Sequence, residues 1–345
     1  MTGTLPAPFL EQLDAEARAL LLSVAKQVSY IKGAQLVRHG QAARGAWVLL
    51  GGSAQAAVSL PGGETLLVAE LGAGSVFGEM ALFDHGTCTA TVSASRNVDG
   101  WFIDRDDFRA LVAQRHPAAL RIQHAITLML AGKLRALNAR VLDCPSTEDR
   151  PARVEDAQRD PLAGLARSRH AAFDWRSFLG HLSLFEGLDE AEVQDLAGLG
   201  KLVELPRGHA IFLAGQNAES CFLVIRGAAE MVARRSTFER RVAVLGPGQL
   251  FGFMSFFETR PHGISAYARE AALLLEFPKQ PFQLAYSQPA SLATKLQRAI
   301  QRSLLNSIAQ TNRRLTRLIS QSRQNASGEH AGLRAIYHSQ LVTGA

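Results

Sequence analysis

Few residues in this chain are of types that do chemistry, and their spacing excludes most of it. Cys88, Cys144 and Cys221 share no CxxC spacing and no histidine cluster, so neither a disulfide framework nor a zinc site is expected. No Gly-x-Ser-x-Gly, HExxH or Walker loop occurs, and Gly72-Ala-Gly74 reads as a turn between strands; an enzyme is not expected. Two stretches remain. Phe77-Gly-Glu-Met-Ala-Leu-Phe-Asp-His-Gly-Thr-Cys-Thr-Ala-Thr91 sets a carboxylate, Glu79, directly after a glycine, where by itself it reads as a surface or capping group at the start of a short helix. Phe251-Gly-Phe-Met-Ser-Phe-Phe-Glu-Thr-Arg-Pro-His-Gly-Ile-Ser265 keeps the frame but has Phe253 in place of the carboxylate. Its His262 can carry charge at mildly acid pH, and with Arg260 two residues away it offers some affinity for an anion.

These stretches belong to an internal repeat, which decides the architecture. Leu13-Asp14 recurs as Leu188-Asp189, Lys32-Gly33 as Arg207-Gly208, Gly40-Gln41 as Gly215-Gln216 and Gly52 as Gly227, all at an offset of 175. After one deletion the offset is 174, and Gly72-Ala-Gly74 matches Gly246-Pro-Gly248, Phe77-Gly78 matches Phe251-Gly252, and Phe108 matches Phe282. So many matches in one register imply duplication.

Each copy must hold its stretch on a small framework. A helical segment comes first, over Pro8 to Lys26 and over Asp189 to Leu199, with Asp14 and either Ser183 or Asp189 available as N-caps. Short apolar runs follow, among them Trp47 to Leu50, Ala56 to Leu60 and Leu66 to Ala69, then Phe222 to Ile225, Glu230 to Ala233 and Val242 to Leu245; glycines such as Gly33, Gly40, Gly52, Gly62 and Gly63 separate those of the first copy. That pattern predicts compact antiparallel β-structure. A closing helix ends each copy, with apolar residues at Ile122, Ile126, Leu130, Leu134, Leu137 and Val141 and then from Leu292 to Leu318; the second stripe is narrow enough to pair with another helix. The expected organisation is a first domain over 1–142, an exposed charged and proline-rich linker over 143–172, a second domain over 173–322 and a tail over 323–345.

The Phe-Gly-Glu-Met-Ala-Leu run closely resembles the phosphate-binding cassette of cyclic nucleotide-binding domains, the family of protein kinase A regulatory subunits and catabolite activator protein. The resemblance covers about Phe9 to Val141 and Phe178 to Ile319. It implies an α+β, mainly β fold: two tandem antiparallel β-rolls of jelly-roll type, each with N-terminal helices and a long closing helix. It also implies a cyclic nucleotide, cyclic AMP or cyclic GMP, as ligand, with no metal. On the first copy the family's roles fall on Gly78 as the close-approach glycine, Glu79 as acceptor for the ribose hydroxyl, and Met80 and Ala81 as helix-start amides for the phosphate. Cys88 stands where the family has its arginine, and Thr89 follows it. On the second copy the corresponding positions are Gly252, Met254, Ser255, His262 and Gly263, with the ribose acceptor gone.

The chain carries a net charge of +6, and from Phe277 to Gly328 it has no acid at all; that stretch suits an anionic surface or a solvated helix face paired with acids elsewhere. No secretory segment or membrane span is expected, which suggests the cytoplasm. The leading expectation is a regulatory binding protein whose output is a protein partner or self-association through the closing helices. A structural scaffold with vestigial pockets is the alternative. A DNA-reading regulator is less expected, because no helix-turn-helix module follows Ser322, and nucleic acid is accordingly an unlikely partner.

Overall fold

β-branched and apolar runs broken by glycine turns fold here into two units of the same design. The computed structural model of the chain describes residues 8–326 except 60–64, 84–85, 115, 145, 147, 154–158, 172–173 and 236. Expectations for Gly62, Gly63 and residues 327–345 lie outside the described residues. The chain divides at Ile126/Thr127, giving a second unit over Thr127–Arg323.

In the first unit, α1 (Pro8–Glu11) and α2 (Ala15–Ser23) precede eight strands. These are β1 (Ala25–Tyr30), β2 (Gln35–Val37), β3 (Gly45–Gly51), β4 (Ala54–Ser59), β5 (Thr65–Leu71), β6 (Val76–Phe77), β7 (Thr91–Ala94) and β8 (Val98–Asp104). They form two four-stranded sheets, β1-β8-β3-β6 and β2-β7-β4-β5, around a core that includes Leu49, Phe77, Val92 and Val98. The helical segment expected over Pro8 to Lys26 is interrupted at Asp14, whose carboxylate caps α2 by accepting from the Ala17 amide at 2.8 Å, and Lys26 already lies in β1. After β8 come α3 (Arg105–Ala113) and the closing helix α4 (Pro117–Asp143).

The second unit repeats the scheme and adds to it. Two short strands from the segment after α4, β9 (Arg150–Pro151) and β10 (Arg167–Ser168), precede α5 (Trp175–Phe178) and α6 (Glu190–Gly198). Asp189, not Ser183, caps α6, in a reciprocal box with Glu192. The eight strands are β11 (Lys201–Leu205), β12 (Ala210–Phe212), β13 (Ser220–Arg226), β14 (Ala229–Arg234), β15 (Phe238–Leu245), β16 (Leu250–Phe251), β17 (Ser265–Ala268) and β18 (Ala272–Pro278). Between β16 and β17 lies α7 (Phe253–Phe257), and α8 (Lys279–Ser287) and the closing helix α9 (Ser291–Ala326) follow. The sheets are β10-β11-β18-β13-β16 and β12-β17-β14-β15-β9, in the order of the first unit with one strand added to each. Gly33, Gly40, Gly52, Gly74 and Gly78 and their counterparts Gly208, Gly215, Gly227, Gly248 and Gly252 all have positive φ. At Gly52 and Gly227 the need is steric as well: a Cβ would lie 1.8 Å from Asn97 O and 2.4 Å from Ala271 O.

The segment after α4, expected as an exposed linker, is held on the second roll. β9 pairs with β15 and β10 with β11, so each covers a sheet edge that would otherwise present unpaired backbone groups. Leu162 is buried in the second core. The Arg240 side chain, fully buried, donates to both oxygens of Asp149, at 2.5 and 2.9 Å, and to Val141 O in the last turn of α4. Composition alone marks the segment as solvated; Asp143, Glu148, Asp149 and Leu162 have partners that are distant in sequence.

The narrow stripe on α9 also has a partner inside this unit. Leu315 and Leu318 pack with Val141 and Cys144, so the C-terminal part of the seam expected to take another helix is met by the end of α4. The helix continues to Ala326, into the stretch expected as tail. No helix among the described residues is long and apolar enough to cross a membrane.

Removing the Asp149 carboxylate leaves a buried guanidinium without its counter-charge. Asp149→Ala is expected to destabilise the second unit by about 3 kcal/mol, against about 1 kcal/mol for loss of the cap in Asp14→Ala. Urea unfolding of the full chain measures both; equal, small effects would mean that Asp149 is a solvated linker residue.

Candidate functional site

The backbone frame of the two cassettes is the same. The Gly40 amide donates to Cys88 O at 2.9 Å and the Cys88 amide to Gln41 O at 2.8 Å; in the second unit Gly215 donates to His262 O and His262 to Gln216 O, both at 2.8 Å. Cys88 and His262 therefore occupy equivalent rungs, as the repeat predicts.

In the first unit, β6 delivers Phe77 to a parallel stack on Trp47, with ring centroids 5.4 Å apart. Gly78 then turns with φ 74°, where a Cβ would meet Gly45 O at 2.6 Å and the Trp47 ring at 3.0 Å, so the protein's own packing already demands a glycine. A 3₁₀ turn over Glu79–Leu82 follows. Glu79 is buried at 6% exposure, which rules out the surface carboxylate that sequence alone allows. Of the two expected amides, that of Ala81 donates to Gly78 O at 3.0 Å within the turn. Met80 and Cys88 are half-buried and Thr89 is exposed. Burial raises the Cys88 thiol above its ordinary range, which disfavours the thiolate.

In the second unit, Gly252 turns with φ 85° into α7. Phe253, in the place of the carboxylate, is buried, and Ser255 is hydrogen-bonded to His262 Nδ1 at 3.1 Å. The His262 ring stacks on Phe212 with centroids 3.8 Å apart and planes at 12°. Burial, with Arg135 nearby, lowers its pKa to about 4. The expected charge at mildly acid pH is thus absent, and Arg260 is exposed.

Sequence reasoning missed Arg135. It lies on α4, within the second unit, and pairs with Glu258 just beyond α7. Its Nη1 stands 2.7 Å from where a Cβ of Gly263 would be, so the bare glycine after His262 makes room for a guanidinium. No local signal could have found this, because the cassette and Arg135 are more than a hundred residues apart. Around them is a cavity of about 470 Å³, floored by residues such as Phe212, Phe253, Met254 and Leu304 and with Gly252, Ser255, His262 and Gly263 in its wall. A smaller cavity of about 290 Å³, ringed by Arg150, Arg153, Arg207 and Arg269, contains no cassette residue.

The profile of the cyclic nucleotide-binding domain matches residues 27–115 and 202–288, together just over half of the sequence and one segment in each unit. The chain belongs to the cyclic nucleotide-binding domain family. Among curated proteins it is similar to the CRP-like cAMP-activated global transcriptional regulator of Mycobacterium tuberculosis, with 28% identity over 90 residues, which are 26% of this chain and 40% of that one. The chain thus spans less than half the length of that relative. Among solved structures it is similar to the regulatory domain of Toxoplasma gondii PKA with cAMP, at 18% identity and TM-score 0.30, covering 80% of this chain and 86% of that one. It is also similar to the regulatory subunit of a cAMP-independent protein kinase A from Trypanosoma cruzi bound to guanosine, at 15% identity and TM-score 0.31, covering 81% and 80%. Both copies of this cyclic nucleotide-binding fold lack the cassette arginine, and among the described residues no group of three or more His, Cys, Asp or Glu is placed to hold a metal.

A histidine held neutral in the folded state binds its proton more readily when unfolded. Its stabilising contribution is therefore complete above the unfolded pKa near 6.5 and is lost as pH falls towards about 4. The loss should reach roughly 3 kcal/mol. His262→Gln is expected to flatten that part of the profile; urea midpoints of wild type and variant from pH 7 to pH 4 that fall in parallel would show that His262 is not held neutral.

Proposed function

We propose that this protein is a non-enzymatic regulatory sensor, working in the cytoplasm, whose first unit takes a cyclic nucleotide and whose closing helices carry the change to a protein partner or a second copy. The observation that supports the first unit as the nucleotide site is the buried Glu79 directly behind the left-handed Gly78, in an unbroken Phe-Gly-Glu-Met-Ala-Leu run. In the family's geometry a ribose hydroxyl is the donor brought to a carboxylate at this position. In this reading Gly78 and Met80 border the phosphate, with the Ala81 amide spent on the turn itself and Cys88 and Thr89 on the far side. In the second unit Phe253 leaves no ribose acceptor, and cyclic nucleotide binding there is expected to be much weaker.

The Cys88 position sets the affinity. A charged donor to a phosphate contributes about 2–3 kcal/mol, so the first unit should bind cyclic AMP or cyclic GMP roughly a hundredfold more weakly than with an arginine. Calorimetry on the full chain tests this: Cys88→Arg is expected to tighten binding by about that factor, and Glu79→Ala to abolish it in either background. Absence of heat from both wild type and Cys88→Arg at millimolar nucleotide would overturn the reading in favour of a scaffold with vestigial pockets.

A further inference from the structure

The second unit is eroded at the positions a cyclic nucleotide needs, yet its cavity is not a collapsed remnant. At about 470 Å³ it lies within the range of small-molecule sites. Its floor is apolar and aromatic. Its charged wall carries one sign: Arg135, Arg234, Arg241 and Arg314 line it, and no Asp or Glu does among the described residues. The cations are held by groups outside the lining. Arg135 pairs with Glu258, Arg241 lies 4.0 Å from Glu230, and Arg314 pairs with Glu148.

Three substitutions relative to the first copy work together here. Phe253 turns the place of a carboxylate into apolar surface. His262, flat on Phe212 and bonded to Ser255, extends that surface with a neutral ring. Gly263 leaves room for Arg135, which lies outside both stretches that match the family profile.

We infer that the second unit binds an amphipathic organic anion, an apolar ring-sized body with a single negative group, and that Arg135 of α4 is the residue that selects the charge by exchanging Glu258 for the ligand. The apolar floor takes the body of the ligand. The guanidinium takes the anionic group, and Glu258, which is 13% exposed, gives up its partner. The site needs no ribose acceptor and no cassette arginine. The assignment rests on reading the second unit as a ligand-binding copy of the module, and it is independent of whether the first unit takes a nucleotide.

The test uses two fluorescent probes on the full chain: anilinonaphthalene sulfonate, which is an apolar ring system with one anionic group, and phenylnaphthylamine, the same rings without the sulfonate. Wild type is expected to prefer the sulfonate by about tenfold. Arg135→Gln should remove that preference and leave the neutral probe unaffected. Glu258→Gln, which frees Arg135, should tighten the sulfonate severalfold, an effect that a purely structural ion pair does not produce. Glu79→Ala should change none of these, so failure of the nucleotide site in the first unit and failure of this one are read separately. Equal binding of the two probes to wild type, or an unchanged preference in both folded variants at positions 135 and 258, would overturn the assignment.

Discussion

The second unit depends on one buried guanidinium. Arg240 on β15 is shut off from solvent, and such a charge persists in a protein interior only when its donors are matched. Asp149 supplies both carboxylate oxygens and the last turn of α4 supplies Val141 O, a carbonyl that the helix itself cannot satisfy. These bonds tie two things to strand β15 of the second roll: the end of α4 and the segment that follows it. With α4 held there, Leu315 and Leu318 of α9 find Val141 and Cys144, and Arg135 comes to the cassette.

The two cassettes have lost different parts of one design. The first keeps the buried carboxylate and has a half-buried, uncharged thiol at the arginine position. The second has Phe253 and a neutral His262 at the corresponding positions, and the guanidinium of Arg135 comes from another element, beside a glycine that leaves space for it. A guanidinium inside the cassette is positioned by its own turn. One on a helix is positioned by everything that fixes the helix, so its geometry is linked to the packing of α4 and α9.

The duplication, several of the strands and the glycine turns were legible in the residues, because they rest on local chemistry. Positive φ at Gly52 and Gly227, capping at Asp14 and Asp189, and apolar runs between turns each depend on neighbours a few positions away. The alignment that sets Cys88 opposite His262 was legible for the same reason, and the matching backbone bonds follow from it. What only the tertiary structure decided is which distant groups meet. Asp149 and Leu162 look like solvated linker until Arg240 and the second core are placed around them. The α9 stripe carries no mark of whether its partner helix belongs to the same chain. Arg135 is one basic residue on an amphipathic helix, His262 one histidine in a loop, and the charge of the site depends on their proximity. Burial and through-space charge are properties of the assembled fold, and no pattern along the chain encodes them.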